Sequence, residues 1–573
     1  MASAKTKAPS AKALIVACLM VALVMVLPIA TILALAFGGN FDDLAHLVET
    51  ILPRAVRQTV ILLVSVAFLT SVTGVATAWL TVMCDFPFRR VLSVALILPL
   101  AIPTYLAAYA FGEFFDYTGP LQSTLRAIFG FTTARDYWFP DIHSMPGAVF
   151  VLSAVLYPYL YLTCRSVFLM QGRSAADVAR TLGANPLRVL LKIQIPMARP
   201  AIIVGIALVL METLNDIGAV QFLGVQTLTA SIYDTWLNRG SLHGAAQMAC
   251  LLLTLVVALT LLERHGRRRQ RFSAQKTTGA VHDSSRLTLK GLSGLSATAL
   301  CMLPVLCGFA IPALVICNFA SRRLNQFLEP RLIGALGNSL FLALCTALIT
   351  VILAFLLSYA RRTSRSATVK TAASLATFGY GVPGTVLAIG VLFPLAAFDN
   401  AFDGWMRLHM GFSTGLLLTG SGFAIIYACS VRFLTLCEGT IDAGFQKLSH
   451  NLDTAARTLG RTRWQTFREI LLPMMRPATL TAALLVFIDT MKELSATMLL
   501  RPFNFNTLAT LVYEDASRAR IEDSAVPALI IILVGLIPVI LVSRSLEPTG
   551  FKFVSSRLRW SRWRRDDGQQ LPQ

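Results

Sequence analysis

The chain reads as an all-α polytopic membrane protein of about twelve transmembrane helices, built as two parallel six-helix repeats. Three observations predict this. Of its 573 residues 55% are hydrophobic and only 14% are charged, with a mean hydropathy of +0.66. A soluble chain of that length would need more charge to cover its surface. Second, continuous apolar runs of about 20 residues recur, the length that crosses a bilayer as a helix. Only helices or closed barrels satisfy the backbone in lipid, and barrel strands would alternate instead of running unbroken. Third, one basic stretch occurs twice, each time just before a long apolar run. Asp177-Val-Ala-Arg-Thr-Leu-Gly183 leads to Pro196 and Pro200, and Thr454-Ala-Ala-Arg-Thr-Leu-Gly460 leads to Pro473 and Pro477. The offset is constant, since 460 − 183, 473 − 196 and 477 − 200 all equal 277.

Taken in order, residues 1–12 form a polar tail with Lys5, Lys7 and Lys12. The first repeat, 13–263, holds spans near 13–37, 58–83, 91–112, 147–169, 200–224 and 244–262. Ala34-Leu-Ala36 imitates a signal-peptidase site, but the apolar run before it is too long for an ordinary leader, so a retained first helix is expected. The loop after it is acidic (Asp42, Asp43, Glu49) and lies outside, whereas Arg89 and Arg90 place the next link inside. Residues 113–146 make a longer outer loop. Residues 264–291 carry Arg267, Arg268, Arg269 and Arg271 among Ser, Thr and Gly, and read as a flexible cytoplasmic linker. The second repeat, 292–546, holds spans near 295–320, 335–360, 371–396, 415–437, 477–500 and 524–545, before a basic tail at 547–573.

Lys and Arg cluster in alternate loops, the positive-inside pattern, which puts both termini in the cytoplasm. That distribution also argues against nucleic acid as the partner of the +20 net charge. An even number of spans per half gives both halves one orientation, related by an axis along the membrane normal. The ten cysteines fall mostly inside apolar runs and form no C-x-x-C pair, so neither a metal site nor a disulfide frame is indicated.

In each copy of the twin stretch an acid, Asp177 or Asp453, stands near the start of a predicted helix, where a carboxylate opposes the positive dipole end. Gly183 and Gly460 end that helix, because Gly accepts the positive φ required there. Pro196 and Pro473 are expected to break a second short helix before the chain enters the membrane. An ordinary amphipathic interface helix would read similarly. Recurrence at one place in both halves favours a rigid protrusion that a partner can push.

Ionisable residues follow inside the membrane: Glu212 and Asp216 after the first stretch, Asp489, Lys492 and Glu493 after the second. Glu212 matches Asp489 and Asp216 matches Glu493 at the same offset. Their i, i+4 spacing predicts one shared helix face. They lie roughly 18–24 Å into the span at 1.5 Å per residue. Carboxylates at such depth face a cavity or a partner. They either line a translocation path or latch its outer gate. With Lys492 the local charge is −3, which favours a cationic cargo. Pro99 and Pro103 interrupt the third span, and Gly381-Val-Pro383-Gly384 the ninth. Tyr105, Tyr109, Tyr157, Tyr159 and Tyr380 could ligate a ferric ion or simply pack. No G-x-x-x-x-G-K-[ST] phosphate loop occurs, so the chain is not an ATPase of that kind and any ATP chemistry belongs to partners.

The twin stretch resembles the EAA loop of bacterial ABC importer permeases, in which E-A-A, three residues and G lead after about nine residues to I-x-L-P. Here Asp-Val-Ala and Thr-Ala-Ala replace E-A-A with the spacing to Gly kept. The resemblance implies a type I ABC importer permease fold. It also implies that Asp177, Ala179, Gly183 and Pro196, with Asp453, Ala456, Gly460 and Pro473, form two ATPase-coupling loops. Further stretches are similar to the fused ferric-iron (FbpB-type) permeases of Gram-negative bacteria. They include Leu98-Pro-Leu-Ala-Ile-Pro-Thr-Tyr105, Met211 to Gly218, Gly379-Tyr-Gly-Val-Pro-Gly384 and Lys492-Glu-Leu-Ser-Ala-Thr497.

That resemblance implies an inner-membrane, multi-pass permease importing ferric iron by alternating access. A periplasmic binding protein would deliver the substrate, and two copies of a cytoplasmic ABC ATPase would use ATP and Mg. This chain itself would bind no cofactor or resident metal, and its surroundings are membrane lipid. Glu212, Asp216, Asp489, Lys492, Glu493, Pro103 and Pro383 are the expected path or gate residues. Alternatives are import of 2-aminoethylphosphonate, thiamine or a polyamine by the same architecture, or a secondary transporter without an ATPase.

Overall fold

The computed structural model describes residues 11–38, 47–169, 179, 182–273, 286–364, 366–449, 451–518 and 520–546. The first half runs through α1 (Ala11–Gly38), α2 (Leu52–Met83), α3 (Arg89–Ala95), a 3₁₀ turn at Leu98–Ala101, α4 (Thr104–Phe115), α5 (Pro120–Phe129) and α6 (Met145–Val167). It continues with α7 (Ile195–Asn215), α8 (Gly218–Phe222), α9 (Leu228–Leu237) and α10 (Leu242–Ser273). The second half follows the same order with α11 (Leu292–Arg322, through a π-turn at Leu306–Ala310), α12 (Pro330–Thr363), α13 (Ala367–Ala376), a 3₁₀ turn at Gly379–Gly381, α14 (Gly384–Met410) and α15 (Phe423–Lys447). It ends with α16 (Asn451–Thr458), α17 (Arg476–Met491), α18 (Ser495–Leu500), α19 (Leu508–Ser517) and α20 (Ile521–Leu546).

Ten described helices are long and apolar enough to cross a bilayer, or up to twelve if each of two bent pairs is one span. Their outer faces carry Val64, Phe68, Leu344 and Leu348 in the open, which suits lipid rather than water. The repeat extends to single hydrogen bonds. Thr59 Oγ1 accepts the Leu228 N–H at 2.9 Å, and Ser339 Oγ accepts the Leu508 N–H at 2.8 Å at the same place in the other half. In each case a hydroxyl on the long second helix satisfies a free N–H at the start of a short helix.

The halves exchange their first helices. α1 packs on α10 of its own half and then on α13 and α14 of the other. α11 does the reverse, packing on α20 and on α4. Glycine makes both crossings close. A Cβ at Gly390 would meet the Pro28 carbonyl of α1, and one at Gly308 would meet the Ala154 carbonyl and the Pro99 ring. Small residues at helix crossings are the usual means of close approach in lipid, where no hydrophobic force holds helices together. A two-residue parallel pairing, Cys84–Asp85 with Leu287–Thr288, ties the start of the second half to the loop after α2.

The interruptions expected in the spans near 91–112 and 371–396 are present, at residues 98–103 and 379–383. The spans near 200–224 and 477–500, expected unbroken, are corrected and break after Asn215 and Met491. The third bends by 96° between Arg89–Ala101 and Thr104–Phe129. The span expected near 415–437 is α15, beginning only at Phe423. Its predecessor 411–422 is a loop, because the Asp399 and Asp403 carboxylates on α14 accept the N–H groups of Thr414, Gly415, Leu418 and Thr419. Pro196 does not break its helix: the span Leu190–Asn215 is continuous. A π-turn at Leu190–Gln194 comes just before the proline, where widened hydrogen bonding absorbs the missing N–H. In the second copy the bend, 70°, falls between Met474 and Arg476, just after Pro473.

Candidate functional site

Two places concentrate unusual residues, the twin stretch and a cavity between the halves. At the second copy of the stretch, α16 closes at Gly460, whose φ is +80°, and the Arg461 N–H reaches back to the Ala456 carbonyl at 3.0 Å. At the first, Gly183 has φ +79° and the Ala184 N–H reaches the Ala179 carbonyl at 3.0 Å. This is the Schellman closure, in which a left-handed Gly lets the next N–H satisfy a carbonyl five residues back. Ala179 and Ala456 are buried, while the residues just before the glycines, Leu182 and Leu459, are each 82% exposed. Asp177 lies outside the described residues. Asp453 sits in the first turn of α16 and pairs with Arg362 at 2.8 Å. The same guanidinium donates to the carbonyls of Phe445, Leu448 and Ser449, so one arginine at the end of α12 fixes the approach to the loop. Below it Phe467 packs against Phe355 and Tyr359 of α12.

The cavity, of about 110 Å³, lies where four helix breaks meet. Its wall takes Pro103, Thr104 and Tyr105 from the break before α4, Tyr380 from the break before α14, Glu212, Asn215 and Asp216 from the end of α7, and Asp489, Lys492 and Glu493 from the end of α17. Broken backbone at membrane depth is tolerated where it is buried in protein or lines a cavity. Five predicted charged residues thus come together, and so does Pro103. Pro383 is not on the wall, although it opens α14 with the φ and ψ that Pro103 shows before α4. Of the tyrosines, Tyr105, Tyr159 and Tyr380 reach the cavity, whereas Tyr109 packs against Phe222, and Tyr157 lies in a different core cluster.

The single helix face expected for the i, i+4 acids is corrected. α7 ends at Asn215 and α17 at Met491, so Asp216 and Glu493 stand beyond the last turn. Each carboxylate caps the short helix that follows. Asp216 Oδ1 accepts the Ala219 N–H at 2.9 Å, and Glu493 Oε1 accepts the Ala496 N–H at 3.0 Å. An acid supplying that free N–H allows the chain to turn inside the protein.

Sequence reasoning missed Arg432. It is buried on α15, lines the cavity and pairs with Glu493. Its signal was a lone cation in the apolar run from Phe423 to Leu436, which in a span marks a paired, inward-facing group. Lys492 pairs with Asp489 at 2.8 Å. Four acids against two bases make the formal sum −2, not −3. Three hydrogen bonds cross between the halves here. Tyr380 Oη donates to Glu212 Oε1 at 3.2 Å, the Gly384 N–H to Asn215 Oδ1 at 2.9 Å, and Ser495 Oγ to the Asn215 carbonyl at 3.0 Å. Among the described residues no group of three His, Cys, Asp or Glu is placed to hold a metal ion.

Two repeats of broken spans around a polar central cavity, each with a helical loop at the same place, define the membrane-spanning part of a transporter. The family model "Binding-protein-dependent transport system inner membrane component" matches residues 70–272 and again 348–548, and the chain belongs to that family. It is an inner-membrane, multi-pass permease component with two such repeats in one polypeptide. It is 25% identical over 493 residues to the Fe(3+)-transport system permease protein FbpB 2 of Haemophilus influenzae, covering 85% of this chain and 89% of that one. It is 29% identical over 195 residues to the molybdenum transport system permease protein ModB of Escherichia coli, covering 33% of this chain and 81% of that one. It is also 28% identical over 192 residues to the putative 2-aminoethylphosphonate transport system permease protein PhnU of Salmonella choleraesuis, covering 33% and 64%.

Proposed function

We propose that this permease forms the translocation path of an ATP-driven importer of ferric iron. The observation that carries the iron reading is the cavity, which is net negative and offers carboxylate and phenol oxygens, the ligand class that hard cations take. The match to the Fe(3+) permease across both halves supports it, whereas the ModB and PhnU matches each cover a third of the chain.

In this proposal the repeats occupy 13–263 and 292–546, joined by a cytoplasmic linker at 264–291, with both termini inside. The two Schellman-closed loops each dock one copy of an ATPase subunit, with Leu182 and Leu459 as exposed apolar contacts. A periplasmic binding protein delivers the ion from the other side. ATP and Mg act only in the partner. Closure of the ATPases draws the loops together, the cross-half hydrogen bonds at Glu212 and Asn215 give way, and the cavity opens outward. Hydrolysis resets it.

The test is uptake of labelled ferric iron, in iron-starved cells whose other iron importers are deleted, with and without this chain. Chain-dependent iron uptake is expected. Chain-dependent uptake of 2-aminoethylphosphonate, molybdate, thiamine or a polyamine, with none of iron, would overturn the iron reading.

A further inference from the structure

The two repeats supply matching acids to the cavity but not matching bases. Glu212 and Asp489 correspond, as do Asp216 and Glu493. Both cations come from the second half. Lys492 stands where the first half has Asn215, at the offset of 277, and Arg432 stands where it has Val155. Each second-half acid therefore has its own base, Asp489 with Lys492 at 2.8 Å and Glu493 with Arg432. The first-half acids have none of their own. Glu212 accepts a phenol hydrogen from Tyr380 at 3.2 Å, with Arg432 and Lys492 near enough to act on it through space. Asp216 uses Oδ1 on the Ala219 N–H and lies beside the Thr104 hydroxyl, and its buried Oδ2 has no hydrogen-bond partner within bonding geometry. The Tyr105 hydroxyl on the same wall is also buried without a partner. A buried carboxylate oxygen and a phenol left unsatisfied each cost free energy, and such groups in a native cavity call for a ligand or water.

The geometry points to a one-sided cation station on the first-half wall, formed by Glu212, Asp216 and the Tyr105 hydroxyl, for a hard, oxygen-seeking metal cation in transit. This rests on the cavity being part of the path. Charge decides the sign of the cargo here, because four acids against two bases leave the cavity wall net negative. Two carboxylates, a phenol and water make a site that an ion can leave, and among the described residues no third carboxylate, His or Cys joins them in a metal-holding group. Conduction demands that: binding strong enough to admit the ion and weak enough to release it.

The test uses the full chain in lipid nanodiscs without the ATPase and reads the luminescence of terbium(III), a hard trivalent probe excited through nearby tyrosines. Glu212→Gln and Asp216→Asn should each weaken terbium binding at least tenfold. Tyr105→Phe, nearly isosteric, should weaken it about threefold or more, which guards against a folding artefact in the acid variants. The double variant Asp403→Asn with Arg407→Gln removes an ion pair outside the cavity wall without changing net charge, and should shift affinity less than threefold. Equal losses in all variants, no terbium binding by the wild type, or displacement of terbium by sulfate acting as a wall-bound anion would overturn the station. Iron uptake, measured separately in cells, would still stand or fall by itself.

Discussion

Replacing Gly460 probes the proposed coupling loop through backbone conformation alone. At φ +80°, with nothing within 4 Å of an added Cβ, a side chain there meets no obstacle. Its cost is therefore that of holding an L-residue in the left-handed region, about 1–2 kcal/mol for Ala. Asn enters that region more easily than Ala despite its size, and a β-branched residue fits it worst. Gly183, at +79° and equally open, should behave the same way. If only the closed loop engages the ATPase, about 1–2 kcal/mol shifts the closed-to-open ratio about 5–30-fold, and apparent affinity falls by up to that factor. The assay is the dissociation constant of the purified ATPase subunit for the permease in nanodiscs. The expected order of affinity at position 460 is Gly, then Asn, then Ala, then Val. An order that follows side-chain volume or helix propensity, with Ala binding as well as Gly, would refute the reasoning.

Other perturbations have equally definite outcomes. Arg432→Gln strands Glu493 as a buried, unpaired charge and should cost about 3–5 kcal/mol, read as a lower melting temperature that the double variant with Glu493→Gln largely recovers. Arg362→Gln removes the donor to three backbone carbonyls as well as to Asp453, so it should lower the melting temperature more than Asp453→Asn, and equal losses would contradict the clamp. Gly308→Val and Gly390→Val should each destabilise by about 1–3 kcal/mol or more through overpacking at a helix exchange, whereas Gly404→Val, with open space around it, should be tolerated. In the loop between α5 and α6, Asp136 accepts the N–H groups of Thr132 and Thr133, and these bonds hold its carboxyl down at about 2. A depressed carboxyl contributes stability above its unfolded value of about 3.9 that fades as pH falls towards 2. Amide exchange at Thr132 and Thr133 should stay slow at pH 5 and quicken in Asp136→Asn.

Much of the fold was legible because its signals are local and periodic. Apolar length marks a span whatever it packs against, and the positions of Gly183 and Gly460 foretold the positive φ found at both. The breaks at Asp216 and Glu493 were harder. No proline marks them, and each depends on a carboxylate capping the short helix after it, so an i, i+4 pair looked like one helical face. The exchange of α1 and α11 leaves no trace beyond small residues such as Gly308 and Gly390, whose meaning lies in a carbonyl from a distant helix. Arg432 lies 61 residues from Glu493 in the sequence and only folding pairs them. The cavity's acids and Lys492 were therefore visible in sequence, and the pairing of Glu493 with Arg432 was not.

The central claim is that ATP, acting through both loops, drives ferric iron across this permease. It is tested most directly by iron uptake in cells whose proton gradient is collapsed while ATP is kept high. Uptake that persists, and is lost in both Gly183→Asp and Gly460→Asp with the chain still in the membrane, is the predicted result. Uptake that vanishes with the gradient, or that survives the double variant, would contradict it.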